Sequence, residues 1–321
     1  MTGAGGPEVL VERELPEPVP GPDEVVVRVR AAGINRADLL QRRGLYPAPP
    51  DAPADIPGLE FAGEVEACGA RVRRFGGGER VMGIVGGGGY AERLVVHERA
   101  AVPIPAGLDF ARAAAIPEAF FTGFDALLLQ ARVTPGESVL IHAVGSGVGT
   151  AAVQLCRLVG AQALGTARTA GKLERARALG LADGLVCAEP AFAAWTRQQT
   201  GGRGADVVLD LVGGAYAREN AAALAERGRW LLVGLMAGAS AEVPLGTLLT
   251  RRLTLIGTAL RTRPLEEKLA VAQAFEKQLL PQFARGALEP VLEAVLPMTQ
   301  AAEAHRRMEA NLTFGKLVLA W

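Results

Sequence analysis

The chain has 321 residues, half of them hydrophobic and 21% charged, which is enough for two domains with cores of their own. Its 34 basic and 34 acidic residues balance, so neither nucleic acid nor another polyanion is an expected partner. The N-terminus carries no basic region leading into an apolar stretch. No run reaches the roughly 20 apolar residues of a membrane span, because the longest, Ile141 to Val159, is broken by Gly145, Gly147 and Gly149. A soluble cytoplasmic protein is therefore expected.

The first third reads as β-rich. VLVEREL (9–15) and EVVVRVRAAG (24–33) mix alternating and continuous apolar runs, joined by the turn-rich PEPVPGPDE. Further short strands are expected over 61–66, 79–85 and 90–96, and the glycine-dense GGGERVMGIVGGGGY reads as tight turns between them. Cys68, Cys156 and Cys187 are isolated and odd in number, so they imply no disulfide framework and are read as small buried residues. His97, His142 and His305 are equally scattered, and the chain has no CxxC or HExxH. No metal site is expected.

The texture changes near residue 110, where strand-like runs begin to alternate with helical ones. ESVLIHA, a glycine turn and TAAVQLCRLVGA read as strand, turn and helix. QALGTA and KLERARALGL repeat the unit, and ADVVLDLVGG, RGRWLLVGL and RLTLIGTAL supply later strands. Such alternation implies βαβ units and a parallel sheet. After about residue 260 a long helical stretch leads to a terminal strand, GKLVLAW.

The stretch VLIHAVGSGVGTAAVQL carries the most chemistry. Glycines let the backbone turn sharply and approach a pyrophosphate, and the helix that follows offers unpaired N–H groups and the positive end of its dipole. The spacing departs from strict GxGxxG, with Thr150 where the last glycine of that frame would fall. A tight β–α turn without a nucleotide remains the alternative. In ALGTARTAGK, where the second strand ends, no acid is present to hold a ribose hydroxyl pair. Arg168 and Lys172 are there instead, and they suit a 2′-phosphate better, so NADPH is the expected cofactor.

These residues resemble the quinone oxidoreductase (zeta-crystallin-like) branch of the medium-chain dehydrogenase/reductase superfamily. The likeness runs through GINRADLLQRRGLYP, PGLEFAGEV, AAAIPEAFFTGFDAL, VLIHAVGSGVGTAAVQL, DLVGG, GRWLLVGLM, LLTRRLTLIGTALRTR and AHRRMEANLTFGKLVL. It implies an α/β fold: a doubly wound parallel-sheet (Rossmann) cofactor domain over 118–257, inserted in a β-rich GroES-like catalytic domain over 1–117 and 258–321. Nicotinamide and substrate would meet between the two. Zinc-dependent relatives carry metal ligands where GINRAD places Asn35 and Arg36 and where GLE places Leu59 and Glu60. An amide, a leucine and one carboxylate make no tetrahedral zinc site, so no metal is expected.

The resemblance further implies reduction of quinones or similar conjugated carbonyls by hydride transfer. Tyr46, Asn35 and Ser146 are the implied catalytic residues. Thr122, Gly145, Ser146, Gly147, Val148, Gly149, Arg168, Lys172, Gly234, Leu235 and Lys316 are the implied cofactor contacts. Each has a plainer reading as well: Asn35 as a helix N-cap, Tyr46 as a packed loop residue, Ser146 as part of the turn, Thr122 as a helix residue, and Arg168 and Lys172 as solvated charges. Cys187, in GLVCAEP, stands near a position where many relatives have a tyrosine. The strand RRLTLIGTAL is expected to pair across a two-fold axis in a homodimer. Two other functions stay open: a medium-chain enoyl-thioester reductase, and a non-enzymatic NADPH-binding protein of crystallin or RNA-binding type.

Overall fold

The computed structural model describes residues 1–321, which divide into two compact units: Met1–Phe121 with Leu260–Trp321, and Thr122–Ala259. In chain order the first stretch contains β1 (Glu24–Gly33), α1 (Arg36–Arg42), β2 (Glu60–Cys68), β3 (Arg80–Ile84), β4 (Arg93–His97), β5 (Ala101–Pro103), α2 (Phe110–Ala114) and α3 (Pro117–Phe124). The middle contains β6 (Ser138–Ile141), α4 (Gly147–Val159), β7 (Gln162–Ala167), α5 (Ala170–Leu179), β8 (Asp183–Val186), α6 (Ala193–Gln199), β9 (Ala205–Asp210), α7 (Ala217–Ala223), β10 (Leu224–Leu232), α8 (Leu245–Arg251) and β11 (Thr254–Gly257). The last stretch has α9 (Leu265–Gln278), α10 (Leu280–Ala284), β12 (Leu292–Pro297), α11 (Ala301–Glu309) and β13 (Lys316–Ala320).

The first unit is a seven-stranded sheet in the order β12-β13-β1-β2-β3-β5, with β4 also on β1. β1 is its axis. Val25, Val27 and Val29 alternate into a core with Phe61, Val65, Val81, Leu94 and Val96, as a half-buried strand must. The end of β1 pairs antiparallel with β13, Ala31 opposite Ala320 and Gly33 opposite Val318, and the Ile34 amide donates to the Leu317 carbonyl at 2.9 Å. That pairing carries the last residues of the chain to the end of β1, where α1 begins.

Three expectations change here. VLVEREL forms no strand: Val11, Leu15 and Val19 are exposed, and the prolines that follow remove ladder donors. A strand absent from the sequence reading, β12, runs parallel to β13. Cys68 is exposed at the end of β2, whereas Cys156 and Cys187 are buried as expected.

The second unit is a six-stranded parallel sheet in the order β11-β10-β9-β6-β7-β8. Counted along this unit the order is 6-5-4-1-2-3, the doubly wound arrangement whose direction reverses between its first and fourth strands, here β6 and β9. Turns after Ile141 and after Asp210 therefore lie side by side at the carboxyl ends of the sheet, where such folds place ligands.

A buried polar chain fixes both turns. The Asp210 carboxylate accepts from the amides of Val212 and Gly213 (both 2.8 Å), from Asn220 Nδ2 (2.8 Å) and from Trp230 Nε1 (3.0 Å). Since Asn220 turns its amide nitrogen to Asp210, its oxygen faces His142 Nε2 at 2.7 Å, so that nitrogen must carry the proton. Nδ1 then accepts from the Thr166 hydroxyl at 2.9 Å. Burial keeps His142 below its usual pKa against the pull of Asp210 and Asn220, in keeping with a neutral ring.

Replacing Asp210 by Asn would turn an acceptor into a donor facing other donors. Asp210→Asn should cost about 2 kcal/mol or more, read as a lower thermal midpoint by circular dichroism. A midpoint equal to that of the parent protein would show that the chain is not what holds these turns.

Candidate functional site

In the first unit the site grows from the end of β1. Asn35 is the N-cap of α1, and its backbone N–H donates to Asp38 Oδ2 at 2.8 Å. Its side chain turns elsewhere: Nδ2 donates to Glu60 Oε1 at 2.8 Å, and Oδ1 accepts from Lys316 Nζ at 2.5 Å. Lys316 Nζ also donates to Glu60 Oε1 at 2.5 Å and to the Ile34 carbonyl at 2.9 Å, which uses all three of its N–H bonds. Glu60 is wholly buried, and its second oxygen accepts from the Glu118 amide at the start of α3, at 2.8 Å. A side chain on residue 33 could not be accommodated, because a Cβ on Gly33 would stand 2.1 Å from Glu60 Oε1.

Lys316 was read from sequence as a cofactor contact. Its side chain is instead buried and its three N–H bonds are committed to this network, where its charge meets that of the buried Glu60. Asn35 thus caps α1 with its backbone while its side chain joins the Glu60–Lys316 pair. The positions where zinc ligands would stand thus hold an amide oxygen turned to an ammonium, a leucine that cannot ligate, and a carboxylate already paired. No group of three or more His, Cys, Asp or Glu that could hold a metal is present, and this donor set does not fit zinc.

Charge accumulates around this pair. Asp38, fully buried, also accepts from the Gly58 amide at 3.1 Å, and burial raises its pKa to about 6. The partly exposed Glu118 is raised to about 8, first by desolvation and then by repulsion from Glu60. Behind α1, Arg42 Nη1 donates to His305 Nδ1 at 3.2 Å, which leaves the proton on Nε2 for the Tyr90 hydroxyl at 3.0 Å. Tyr90 in turn donates to Asp38 at 3.4 Å. Tyr90 is therefore a structural link.

Tyr46 lies partly exposed beyond α1, with burial raising its pKa. The Arg261 guanidinium stacks 4.9 Å from its ring centroid, and Nη1 donates to the Tyr46 carbonyl at 3.1 Å. Glu118 and Arg261 act on the Tyr46 phenol with opposite signs. Sequence reasoning missed both. The signals were present, Glu118 in AAAIPEAFF and Arg261 in IGTALRTR, but nothing local distinguished them from surface charges.

In the second unit the glycine turn leads into α4. Ser146 is its N-cap, Oγ accepting from the Gly149 amide at 3.0 Å, so it does complete the turn. A Cβ on Gly149 would meet the Ala143 carbonyl at 2.6 Å, so only glycine fits. Ala143 is left-handed (φ +49°), a strained conformation of the kind found at binding turns. Gly147 and Val148 open the first turn of α4. Gly145 is buried beside them, and Thr122 is buried within α3.

Arg168 is exposed at the end of β7, and Lys172 lies in the first turn of α5. After β10 the Gly234 amide donates to the Asp210 carbonyl at 3.2 Å, and Leu235 is exposed beside Gly213. Cys187 Sγ donates to the Glu189 carbonyl at 2.9 Å and receives the Tyr216 hydroxyl at 3.8 Å. The turn, strand end and small residues fit a dinucleotide: amides at a helix N-terminus for phosphates, and two cations beyond β7.

Comparison with known proteins agrees with this geometry. Residues 21–106 match the alcohol dehydrogenase GroES-like domain and residues 147–276 the zinc-binding dehydrogenase family. The chain is 35% identical over 323 residues to a quinone oxidoreductase of Pseudomonas aeruginosa, covering 98% of this chain and 96% of that one. It superposes on the Escherichia coli quinone oxidoreductase complexed with NADPH with a TM-score of 0.87 and 30% identity, over 99% of this chain and 98% of the other. The CurK enoyl reductase superposes with a TM-score of 0.88 and 27% identity, over 100% and 97% of the two chains.

The raised carboxyls have a consequence for stability. Glu118 stays protonated in the fold to about pH 8 but titrates near 4.5 once unfolded. The folded chain therefore holds an extra proton between these values. The stability this contributes is whole below about pH 4.5 and is lost as pH rises through 8. Asp38, at about 6, acts with the same sign over the lower part of the range. Glu118→Gln should shrink the fall in thermal midpoint between pH 5 and 8 by about 2–4 °C. An identical fall in both proteins would refute the raised pKa of the Glu118 carboxyl.

Proposed function

The chain belongs to the quinone oxidoreductase branch of the medium-chain dehydrogenase/reductase superfamily, and on that premise we propose that it reduces quinones and similar conjugated carbonyls with NADPH, without a metal. It is an oxidoreductase that uses a nicotinamide cofactor. The reading rests above all on one observation: Lys316 and Asn35 are bound to Glu60 where a metal and its ligands would be needed to polarise an unactivated carbonyl. A conjugated acceptor needs no such Lewis acid, because its own electron demand draws the hydride.

When bound, the nicotinamide supplies the hydride. The protein's part is to hold the acceptor, exclude water and stabilise the oxygen on which charge develops. Tyr46 is the donor proposed for that oxygen. Asn35 lines the same site, its amide held in one orientation by Glu60 and Lys316. On the cofactor side Ser146 shapes the turn and its amides face phosphate. Arg168 and Lys172 are proposed to receive the 2′-phosphate that distinguishes NADPH, and the relative complexed with NADPH supports that choice.

A second reading is reduction of an enoyl thioester, favoured by the likeness to the CurK enoyl reductase. Its chemistry also puts charge on a carbonyl oxygen, so the two readings share a site and differ in acceptor. Steady-state kinetics on 1,4-benzoquinone and crotonyl-CoA separate them, and the quinone is expected to give the higher kcat/KM. Faster turnover of crotonyl-CoA would reverse the order.

Tyr46→Phe should lower kcat roughly tenfold, about 1.4 kcal/mol, with NADPH affinity unchanged. A smaller loss than for a localised oxyanion is expected because a quinone spreads its charge. Arg168→Ala/Lys172→Ala should raise KM for NADPH about tenfold while leaving NADH nearly untouched. Elemental analysis should find no stoichiometric zinc in the purified protein. Better use of NADH than NADPH by the parent protein would overturn the cofactor assignment.

A further inference from the structure

Arg261 is an unusual cation. It is 6% exposed, yet none of its hydrogen bonds goes to a carboxylate. Nε and Nη2 donate to the Gly86 carbonyl at 2.8 and 2.6 Å, Nη1 to the Tyr46 carbonyl at 3.1 Å, and Nη2 to Gln41 Oε1 at 2.5 Å. All these acceptors are neutral. A buried guanidinium without an anion is costly and is kept only where the surroundings compensate it. The compensation here is the carbonyl cage, the π face of Tyr46 at 4.9 Å, and the field of Asp38 from α1, joined by Glu118 from α3 once that carboxyl ionises.

The cage also serves to place Tyr46. One planar fork joins Gln41 on α1, the backbone of Tyr46 and the Gly86 turn, so the phenol ring is fixed from its own main chain and from its face. A cation on the face of a phenol favours any state in which its oxygen gains negative character. That state arises when the O–H is drawn toward an acceptor oxygen that is becoming an anion.

We propose that Arg261 is the positioning partner of Tyr46, fixing its ring and strengthening through its charge the hydrogen bond from the Tyr46 hydroxyl to the reduced acceptor oxygen. The proposal rests on the reading of Tyr46 as that donor. The groups acting on the phenol are Arg261, which makes it a stronger acid, and Glu118, which weakens it only when ionised; burial opposes both ionised forms. No proton leaves Arg261 in this scheme. The acceptor takes a hydride from the cofactor, and Tyr46 donates a hydrogen bond as the charge develops.

The test is a double-mutant cycle with whichever of benzoquinone and crotonyl-CoA the parent protein reduces faster. Arg261→Met should lower kcat about tenfold, as Tyr46→Phe does, with KM for NADPH unchanged. In the Tyr46→Phe background the same change should cost less than about twofold. Arg261→Lys keeps the charge and loses the fork, so it should recover part of the kcat lost in Arg261→Met. It carries the test if the methionine variant does not fold. The ultraviolet titration of the Tyr46 phenol, taken as the difference between proteins with and without Tyr46→Phe, should move to higher pH when Arg261 is lysine and further when it is methionine. Additive losses in the cycle, or an unmoved phenol titration, would overturn the role of Arg261 while leaving Tyr46 as donor. A parent-like kcat in Tyr46→Phe would overturn both.

Discussion

A carboxylate cannot be buried alone, and the first unit is organised around that constraint. Glu60 is wholly removed from solvent at the start of β2, and its charge is met by an ammonium that arrives 256 residues later on β13. Lys316 reaches it only because β13 pairs with the end of β1, and Asn35 joins the pair because it opens the helix that follows β1. β2, α3, β13 and the two residues Ile34 and Asn35 that link β1 to α1 thus meet at one ion pair, each contributing a bond that neutralises or orients it. Its geometry holds because every donor on Lys316 and both oxygens of Glu60 are used.

This arrangement bears on chemistry through what it consumes and what it leaves. It consumes the coordination capacity that a metal would have required. It leaves a concentration of acidic groups, Asp38 and Glu118, whose carboxyls are pushed toward their neutral forms by burial and by Glu60. Near them stand Tyr46 and a guanidinium bonded to neutral oxygens alone. A positive charge whose own hydrogen bonds go only to neutral oxygens, beside a phenol, suits a reaction that delivers a hydride and so deposits negative charge on its acceptor.

The second unit solves a different problem, the shaping of two turns at the point where the sheet reverses direction. There the buried Asp210 has no cation and is stabilised by four N–H donors, two of them from the turn it shapes. His142, held neutral with its proton on Nε2, extends the chain to Thr166 near the end of β7. A strand end, a glycine turn and the start of a cation-bearing segment are thereby coupled through hydrogen bonds that tolerate little displacement.

The local features were legible in the sequence. Apolar runs separated by helical periods announced the parallel sheet, and the sharp glycine turn after β6 with its helix cap was foreseen, because steric freedom and helix capping are properties of a few adjacent residues. That Leu59 offers no metal ligand could also be read directly, since a leucine cannot ligate in any fold. VLVEREL misled because alternation signals a strand only if a partner is available, and the prolines after it deny one. β12 was missed because its partner, β13, lies beyond an intervening helix. What tertiary structure alone decided was which charges meet. Lys316 and Glu60 are 256 positions apart, and Arg261 and Tyr46 are 215 apart. In the sequence each is an ordinary polar residue. Their roles arise from burial, which makes an unpaired charge expensive and turns the choice of partner into a property of the whole fold.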